Sequence, residues 1–275
     1  MRGDPVAHQQ TTAASAVPSA SQGEELRPRK KRGASNVIPK ISQILGELLI
    51  TAGIVLLLFV AWELWWTNVE ADAKQTEAVK SFAQEFTGPV APAAPAGPVD
   101  YGTPVVGKAP GHGGTIGIMY IPRFGQDYTR PIIEGTSSDV LDTLGLGHYG
   151  STGMPGAPGN FAVAGHRQTH GAVLDNIHTL VPGDKIYVQT ADGYYTYVFR
   201  NNQIVLPDRT DVLLPVPTQP GATPTESFLT MTSCNPRFGA QERIIAYSLL
   251  ESWQPASAGP PSEIAAQVAR AHGKG

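Results

Sequence analysis

Cysteine is almost missing from this chain. Its 275 residues include a single cysteine, Cys234, which excludes an internal disulfide, an iron–sulfur cluster and a cysteine-based zinc finger. Charged side chains are also few, at 16% of the residues, and the formal net charge is only −3. This balance does not suit a general nucleic-acid-binding protein. A hydrophobic content of 41% is too high for a wholly disordered chain.

One long apolar run is present near the N-terminus, from Leu48 to Trp66. As a helix it would be about 28 Å long, close to the roughly 30 Å of membrane hydrocarbon. We therefore predict a transmembrane helix over 44–66. Basic residues cluster before it, at 27–32. The positive-inside rule then predicts a single-pass protein of the cell membrane, with a cytoplasmic N-terminus and an extracellular remainder.

Two other interpretations of this region remain open. The strictly uncharged part, Leu48–Trp62, is only fifteen residues long, and Ala71-Asp72-Ala73 is similar to a signal-peptidase site. A cleaved signal peptide is therefore the alternative to an uncleaved anchor. The basic cluster by itself is also typical of a nuclear-localisation or nucleic-acid-binding segment, although the apolar run that follows it favours the membrane.

The rest of the chain divides by composition. Residues 1–43 are predicted to be a disordered basic tail. Residues 67–114 are predicted to form a helix and then a Pro-, Ala- and Gly-rich spacer that holds the next domain away from the bilayer. Residues 115–253 have the size of one domain. Residues 254–275 are expected to be a flexible tail, with at most a short helix at 262–271.

The domain at 115–253 has the pattern of a β-protein. Its apolar runs are short and rich in β-branched and aromatic residues, with glycine and proline between them. Ala191-Asp192-Gly193 between two alternating runs predicts a hairpin, and only 137–144 and 171–179 are suited to short helices. We predict a mainly β fold, a closed or nearly closed barrel, because so many short strands need their edges covered.

Three chemically active side chains fall at the ends of predicted strands. Cys234 ends one apolar run, His166 ends another, and Arg243 opens the run that follows the cysteine. If the last two strands pair as a hairpin, the thiol and the guanidinium come together. An imidazole beside them completes a set suited to acyl transfer through a thiol. A buried and inert Cys234 is the structural alternative.

The sequence around these residues resembles the sortases, the membrane-anchored cysteine transpeptidases of Gram-positive bacteria. The similar stretches are 115–125, 155–184 and 230–247. The family's Thr-Leu-x-Thr-Cys signature is present as Thr230-Met231-Thr232-Ser233-Cys234. The stretch 144–160, and a Cys-x-Pro sequence with an arginine nine residues after the cysteine, are most similar to class E sortases, the housekeeping type of actinobacteria.

The resemblance implies an eight-stranded sortase-type barrel and a thioacyl mechanism. Cys234 would be the nucleophile, His166 the general acid and base, and Arg243 the group that stabilises substrate and oxyanion. The family requires no acid to orient His166, and none is assigned. The implied partners are secreted proteins with a Leu-Ala-x-Thr-Gly-like or Leu-Pro-x-Thr-Gly-like sorting signal. The resemblance implies that the signal would be cut between Thr and Gly and that the protein would be passed to an amine of a peptidoglycan precursor, without a cofactor.

Three residues are expected to contact the substrate. Tyr120 resembles a class E feature linked to the Leu-Ala-x-Thr-Gly signal, although a strand tyrosine is equally compatible with core packing. Thr232 and Ser233 precede the cysteine in the signature. The segment Leu206–Glu226 corresponds to the loop that shapes the signal groove in sortases, and a turn-rich segment of this length in a compact domain is usually functional.

No metal ion is predicted, because the acidic residues of the domain are scattered without the spacing of a calcium loop. Asp127, Asp139, Asp142, Asp208 and Asp211 are examples. Two other functions stay open beside the transpeptidase. One is a thiol peptidase of the same fold that mainly hydrolyses its substrate, and the other is a non-catalytic binding module tethered to the membrane.

Overall fold

The computed structural model describes residues 37–93 and 99–273. The chain divides into two compact units, residues 1–51 and 52–275, and the barrel and its surroundings belong to the second. Most of the tail predicted at 1–43 lies outside the described residues. Its last part, 37–43, is helical, so the prediction of disorder is wrong there.

The N-terminal helix is long and apolar. Helix α1 covers Val37–Ala61, a π-helical turn follows at Trp62–Trp66, and α2 covers Thr67–Glu85. Within the described residues, one helical stretch, Lys40–Glu85, is long and apolar enough to cross a membrane, with a mean hydropathy of 2.6 in its most apolar window. The span predicted at 44–66 overlaps this stretch, but the helical conformation begins earlier and ends later.

Eight strands form a closed barrel, which confirms the predicted mainly β fold. The strands are β1 (Thr115–Tyr120), β2 (Thr129–Glu134), β3 (Leu146–His148), β4 (Gly159–Ala164), β5 (Lys185–Gln189), β6 (Gly193–Val205), β7 (Ser227–Asn235) and β8 (Glu242–Pro255). Their order around the barrel is β1-β2-β3-β4-β7-β8-β6-β5. Among the described strands, each one pairs with a neighbour on either side, which meets the need for covered edges that predicted the barrel. The hairpin predicted at Ala191-Asp192-Gly193 joins β5 to β6, with Gln189 opposite Tyr194.

The barrel is packed on its inside and covered on part of its outside. Met119, Phe161 and Leu229 belong to the interior cluster and are almost completely buried. Neighbouring residues that point the other way, such as Ile118, are buried as well, because helices lie against the outer surface. Since strands covered on both sides are apolar at every position, these runs showed little alternation in the sequence.

Helix α2 and the C-terminal residues provide this outer cover. Val79 of α2 and Phe86, the residue after this helix, pack with Tyr194 of β6. Ile264 and Val268 complete the cluster. The tail predicted to be flexible at 254–275 is therefore a packed part of the domain. Its short helix is α4, which covers Ala265–Ala271 after a 3-10 turn at Ser262–Ile264.

The segment predicted to be a free spacer also lies against the barrel. Trp253 Nε1 donates a hydrogen bond to the Gly102 carbonyl (2.8 Å), and the Gly113 amide donates to the Glu134 carbonyl (2.9 Å). The described part of this segment is therefore attached to the domain and does not separate it from α2. Composition indicated extended chain correctly, but it carried no information on what that chain contacts.

Candidate active site

The three strands that carry the predicted site are neighbours in the barrel. β7 lies between β4 and β8. In the antiparallel β7–β8 pair, Cys234 stands directly opposite Arg243. In the parallel β4–β7 pair, Ala164 stands opposite Thr232. His166 is two residues after Ala164, and Cys234 is two residues after Thr232. Because the two strands are parallel, both residues lie at the same end of the barrel on neighbouring segments.

Hydrogen bonds fix the end of β4 against the end of β7. The Gly165 amide donates to the Thr232 carbonyl (3.1 Å), and the buried Ser233 hydroxyl donates to the Gly165 carbonyl (2.7 Å). Pro236 then ends β7, because proline has no amide hydrogen to continue the ladder. These contacts hold the residue after Gly165, which is His166, beside the cysteine strand.

Cys234 is a half-buried free thiol beside a cation that the sequence analysis did not single out. Arg167 is only 6% exposed, and its Nη1 donates to the Cys234 carbonyl (3.1 Å) and to Asn235 Oδ1 (2.6 Å). Burial lowers the pKa of this guanidinium, which nevertheless stays charged at neutral pH. In the sequence, the feature that could have identified Arg167 is its position directly after His166.

His166 has a carboxylate partner that was not predicted. Its Nε2 lies 2.6 Å from Asp142 Oδ1, and both side chains reach solvent, at 29% and 37% exposure. Asp142 follows the short helix α3 (Ser138–Leu141), which lies within the predicted helical segment 137–144. The two residues are far apart in the sequence, so no spacing rule would have joined them.

The backbone of Arg243 lies opposite Cys234, but its side chain is hydrogen-bonded to the turn between β7 and β8. Its Nη1 donates to the carbonyls of Ala240 and Glu242, both at 2.9 Å. Among the described residues, no hydrogen bond links the Cys234 thiol to His166 or to Arg243. The structure therefore brings the three residues to one rim, and contacts between the side chains require rotation. Active-site hydrogen bonds commonly shorten only when substrate binds.

The three residues expected to contact substrate are buried and have partners within the protein; for Thr232 and Ser233 the substrate contact stays a prediction. Tyr120 is fully buried, and its hydroxyl donates to Gln189 Oε1 (2.6 Å) in the outer cluster below α2. Thr232 is 6% exposed and bonds the Tyr149 hydroxyl (2.9 Å), while Ser233 holds Gly165. Tyr120 as a substrate contact is contradicted, because no surface of this side chain is accessible.

The loop Leu206–Glu226 is attached to β4. The Asn160 amide Nδ2 donates to the carbonyls of Val212 and Leu214, both at 3.1 Å. Val212 is buried in a small cluster with Val205 and Ile245. The loop is thus an ordered border of the barrel, and its expected part in forming a substrate groove stays a prediction.

The sortase domain family matches residues 119–251. Sortase SrtE1 of Streptomyces coelicolor is 36% identical over 243 residues, covering 86% of this chain and 63% of that protein. Sortase SrtE2 of the same organism is 32% identical over 235 residues, covering 81% of this chain and 87% of that protein. The solved structure of SrtA sortase from Actinomyces oris has a TM-score of 0.57 at 38% identity, covering 60% of this chain and 94% of that one. This chain thus spans less than two thirds of the length of SrtE1.

Proposed function

The chain belongs to the sortase family, and from that premise we propose that it attaches secreted proteins to the cell wall as a membrane-anchored class E enzyme. In this proposal it cuts a Leu-Ala-x-Thr-Gly-like signal between Thr and Gly and passes the threonyl carbonyl to an amine of a peptidoglycan precursor. The observation that carries the proposal is the strand register. Cys234 lies opposite Arg243. His166 follows β4, whose last residue, Ala164, lies opposite Thr232, two residues before Cys234.

The first half of the reaction forms the thioester. The Cys234 sulfur attacks the threonyl carbonyl carbon, and the bond from that carbon to the glycyl nitrogen breaks. His166 gives a proton to the departing amine, and the thiol is the net source of that proton. A thioester divides one difficult amide exchange into two easier steps.

The second half reverses these roles. The amine of the acceptor attacks the thioester carbon, the carbon–sulfur bond breaks, and the proton leaves the attacking nitrogen through His166. Asp142 holds the His166 ring by its Nε2 atom, which leaves Nδ1 for the proton transfers. A fixed ring orientation lowers the cost of aligning the base, so Asp142 is a positioning residue in this proposal.

Two arginines supply positive charge, with different roles. Arg243 is half-buried on β8 and would turn from the carbonyls of Ala240 and Glu242 toward the oxyanion, which its planar guanidinium can bind through two hydrogen bonds. Arg167 is buried against the Cys234 carbonyl and would hold the end of β7 in place. We assign the oxyanion to Arg243 and not to Arg167. The Arg243 guanidinium is partly exposed, so water can replace it at the two carbonyls when it turns, whereas Arg167 is buried.

The membrane arrangement follows from the N-terminal part of the chain. The stretch Lys40–Glu85 is suited to a single crossing, and the basic cluster at 27–32 favours a cytoplasmic N-terminus. The barrel would then face the outside, where secreted proteins and peptidoglycan precursors are found.

The test is a transfer assay with the full chain in detergent. Peptides with Leu-Ala-x-Thr-Gly and Leu-Pro-x-Thr-Gly are supplied with and without an amine nucleophile, and ligated and hydrolysed products are separated. We expect ligation, faster on the Leu-Ala peptides, and no turnover by Cys234→Ala. Product that is only hydrolysed would indicate the thiol peptidase, and full activity of Cys234→Ala would exclude both enzymes. Equal rates on the two peptides would refute the class E signal.

Two matched pairs of variants separate the assigned roles from general damage. His166→Ala should lose about 10²–10⁴-fold in rate as a missing general acid and base, whereas His178→Ala, an exposed histidine of the same domain, should not. Arg243→Ala should lose about 10²–10³-fold in kcat, whereas the exposed Arg200→Ala should keep its activity.

A further inference from the structure

Three potential metal ligands from separate parts of the chain meet beside the proposed site. Asp142 follows α3, His166 follows β4, and His170 lies on the loop after it. One donor atom from each residue lies within 4.8 Å of the other two. The imidazole rings of His166 and His170 are 5.1 Å apart between centroids, with 36° between their planes. We call this group the His-His-Asp cluster.

The donor set selects for a particular class of ion. Two imidazole nitrogens and one carboxylate oxygen suit Zn²⁺ and similar divalent transition metals, whereas Ca²⁺ and Mg²⁺ prefer oxygen ligands throughout. Ligands of a tetrahedral zinc ion are about 3.3 Å apart. The donors of the cluster therefore need side-chain shifts of roughly 1 to 1.5 Å, with the short contact from Asp142 to His166 opening as the ion enters. Solvent already reaches both of these side chains.

The backbone around His170 is held in an uncommon conformation. His170 has a φ of 54°, and Gly171 and Ala172 follow with φ of 85° and 45°. Residues other than glycine rarely adopt such positive φ values. Helix α2 fixes this turn: Gln75 Nε2 donates to the His170 carbonyl (3.3 Å), and the Gly171 amide donates to Asn68 Oδ1 (2.7 Å). The transfer chemistry proposed above gives His170 no task.

We propose that the His-His-Asp cluster is a regulatory site for Zn²⁺ or a similar divalent transition metal, and that occupancy stops acyl transfer. An ion that enters between Asp142 and His166 takes the electron pair of Nε2, the atom that now contacts Asp142. The ring hydrogen then stands on Nδ1, which can no longer accept a proton. Inhibition is reversible, because a chelator that removes the ion restores the free imidazole. Binding of the ion stands on the cluster alone, whereas inhibition rests on the proposed function.

The binding experiment uses calorimetry on the untagged full chain in detergent, with Zn²⁺ as the probe. Cys234→Ala is the background, because it removes the thiolate as a competing ligand. We expect saturable binding that His170→Gln weakens at least tenfold, while the exposed His178→Gln has no effect. Millimolar Ca²⁺ should not displace the ion. No Zn²⁺ binding, binding that His170→Gln leaves unchanged, or displacement by Ca²⁺ would overturn the site.

The activity experiment tests the regulatory half separately. Zn²⁺ should inhibit ligation by the wild-type chain, and excess chelator should restore it. His170→Gln should keep the basal rate while the Zn²⁺ concentration for half inhibition rises at least tenfold. If the cluster binds Zn²⁺ while the rate stays constant, the inhibition is wrong. If the chain ligates no peptide, the proposed function fails, and the calorimetry alone decides the metal site.

Discussion

Replacing Asn68 by alanine should loosen the loop that carries His166, although Asn68 lies on α2 and outside the barrel. Asn68 Nδ2 donates to the Gln168 carbonyl (3.2 Å), and its Oδ1 accepts from the Gly171 amide (2.7 Å). One side chain therefore closes both ends of the four-residue stretch that follows Arg167. The helix next to the apolar segment is thereby linked directly to the candidate active site.

The size of the effect follows from these two contacts. A hydrogen bond contributes a net of about 0.5–1.5 kcal/mol to stability. Losing both hydrogen bonds of Asn68 therefore costs about 2 kcal/mol of local stability. That energy raises the opening equilibrium of the loop roughly 30-fold. Alanine favours helix more than asparagine does, so α2 itself should not unfold.

A second position on the same face of α2 should give a smaller effect. Gln75 is 1% exposed and makes one contact with the loop, to the His170 carbonyl. Its Oε1 is buried and has no hydrogen-bond partner in the described part of the chain. Gln75→Ala therefore removes an unfavourable group together with a favourable contact. The two substitutions should not add, because both act on one loop.

The assay is hydrogen–deuterium exchange on the full chain in detergent, followed at the Gly171 amide. Exchange there should be about 30-fold faster in Asn68→Ala, and kcat for ligation should fall while KM changes little. Gln84→Ala is the matched control, because Gln84 is an exposed residue of α2 that lies far from the loop. Exchange at Gly171 within twofold of wild type in Asn68→Ala would refute the reasoning, whatever the activity.

Three further predictions concern other parts of the domain. Asp142→Asn should lower kcat about tenfold with little change in KM, because the hydrogen bond to His166 loses its charge, as measured by steady-state ligation. Ile264→Ala should cost about 2–5 kcal/mol of stability, because this residue of the supposed tail is fully buried. Asp184→Asn should lower the melting temperature by about 2–4 °C at pH 7, because Arg123 binds both carboxylate oxygens of Asp184 (2.6 and 2.7 Å).

Each of these has a control or a condition that would contradict it. Asp139→Asn changes an exposed acid of α3, the short helix just before Asp142, and should leave kcat unchanged. Ile204→Ala, at 48% exposure, should cost far less stability than Ile264→Ala. The hydrogen bond with Arg123 holds the pKa of Asp184 below its ordinary 3.8. Its contribution is therefore complete above about pH 4 and disappears as the pH falls through the lowered value. A melting difference that does not shrink as the pH falls below 4 would be inconsistent with this origin.

Local features of the chain were predictable because their physical causes are local. The apolar stretch needs only contiguous hydrophobic residues, and the β5–β6 hairpin needs only a turn between alternating runs. The barrel followed from the number of short runs and the need to cover their edges. The helix predicted at 137–144 is present as the shorter α3. Cys234, His166 and Arg243 were selected by their places at the ends of such runs.

The predictions that were wrong concern contacts between surfaces that are distant in the sequence. The residues at 254–275 are polar or small for much of their length, yet Ile264 and Val268 fill a hydrophobic cluster on the barrel. Tyr120 was expected near the substrate, but it points to the outer face below α2. In a strand the two faces alternate from one residue to the next, so one position separates a substrate contact from a core residue. Composition does not record this difference.

The sequence by itself determined a mainly β domain behind an apolar helix, and the one cysteine, the histidine and the arginine on which acyl transfer would depend. Only the tertiary structure decided that Asp142 holds His166, that Arg167 is buried against Cys234, and that α2 fixes the loop at His170. The physical reason is that strand formation follows from neighbouring residues. Contacts between distant segments follow from barrel closure and register, which bring together side chains that no spacing along the chain connects.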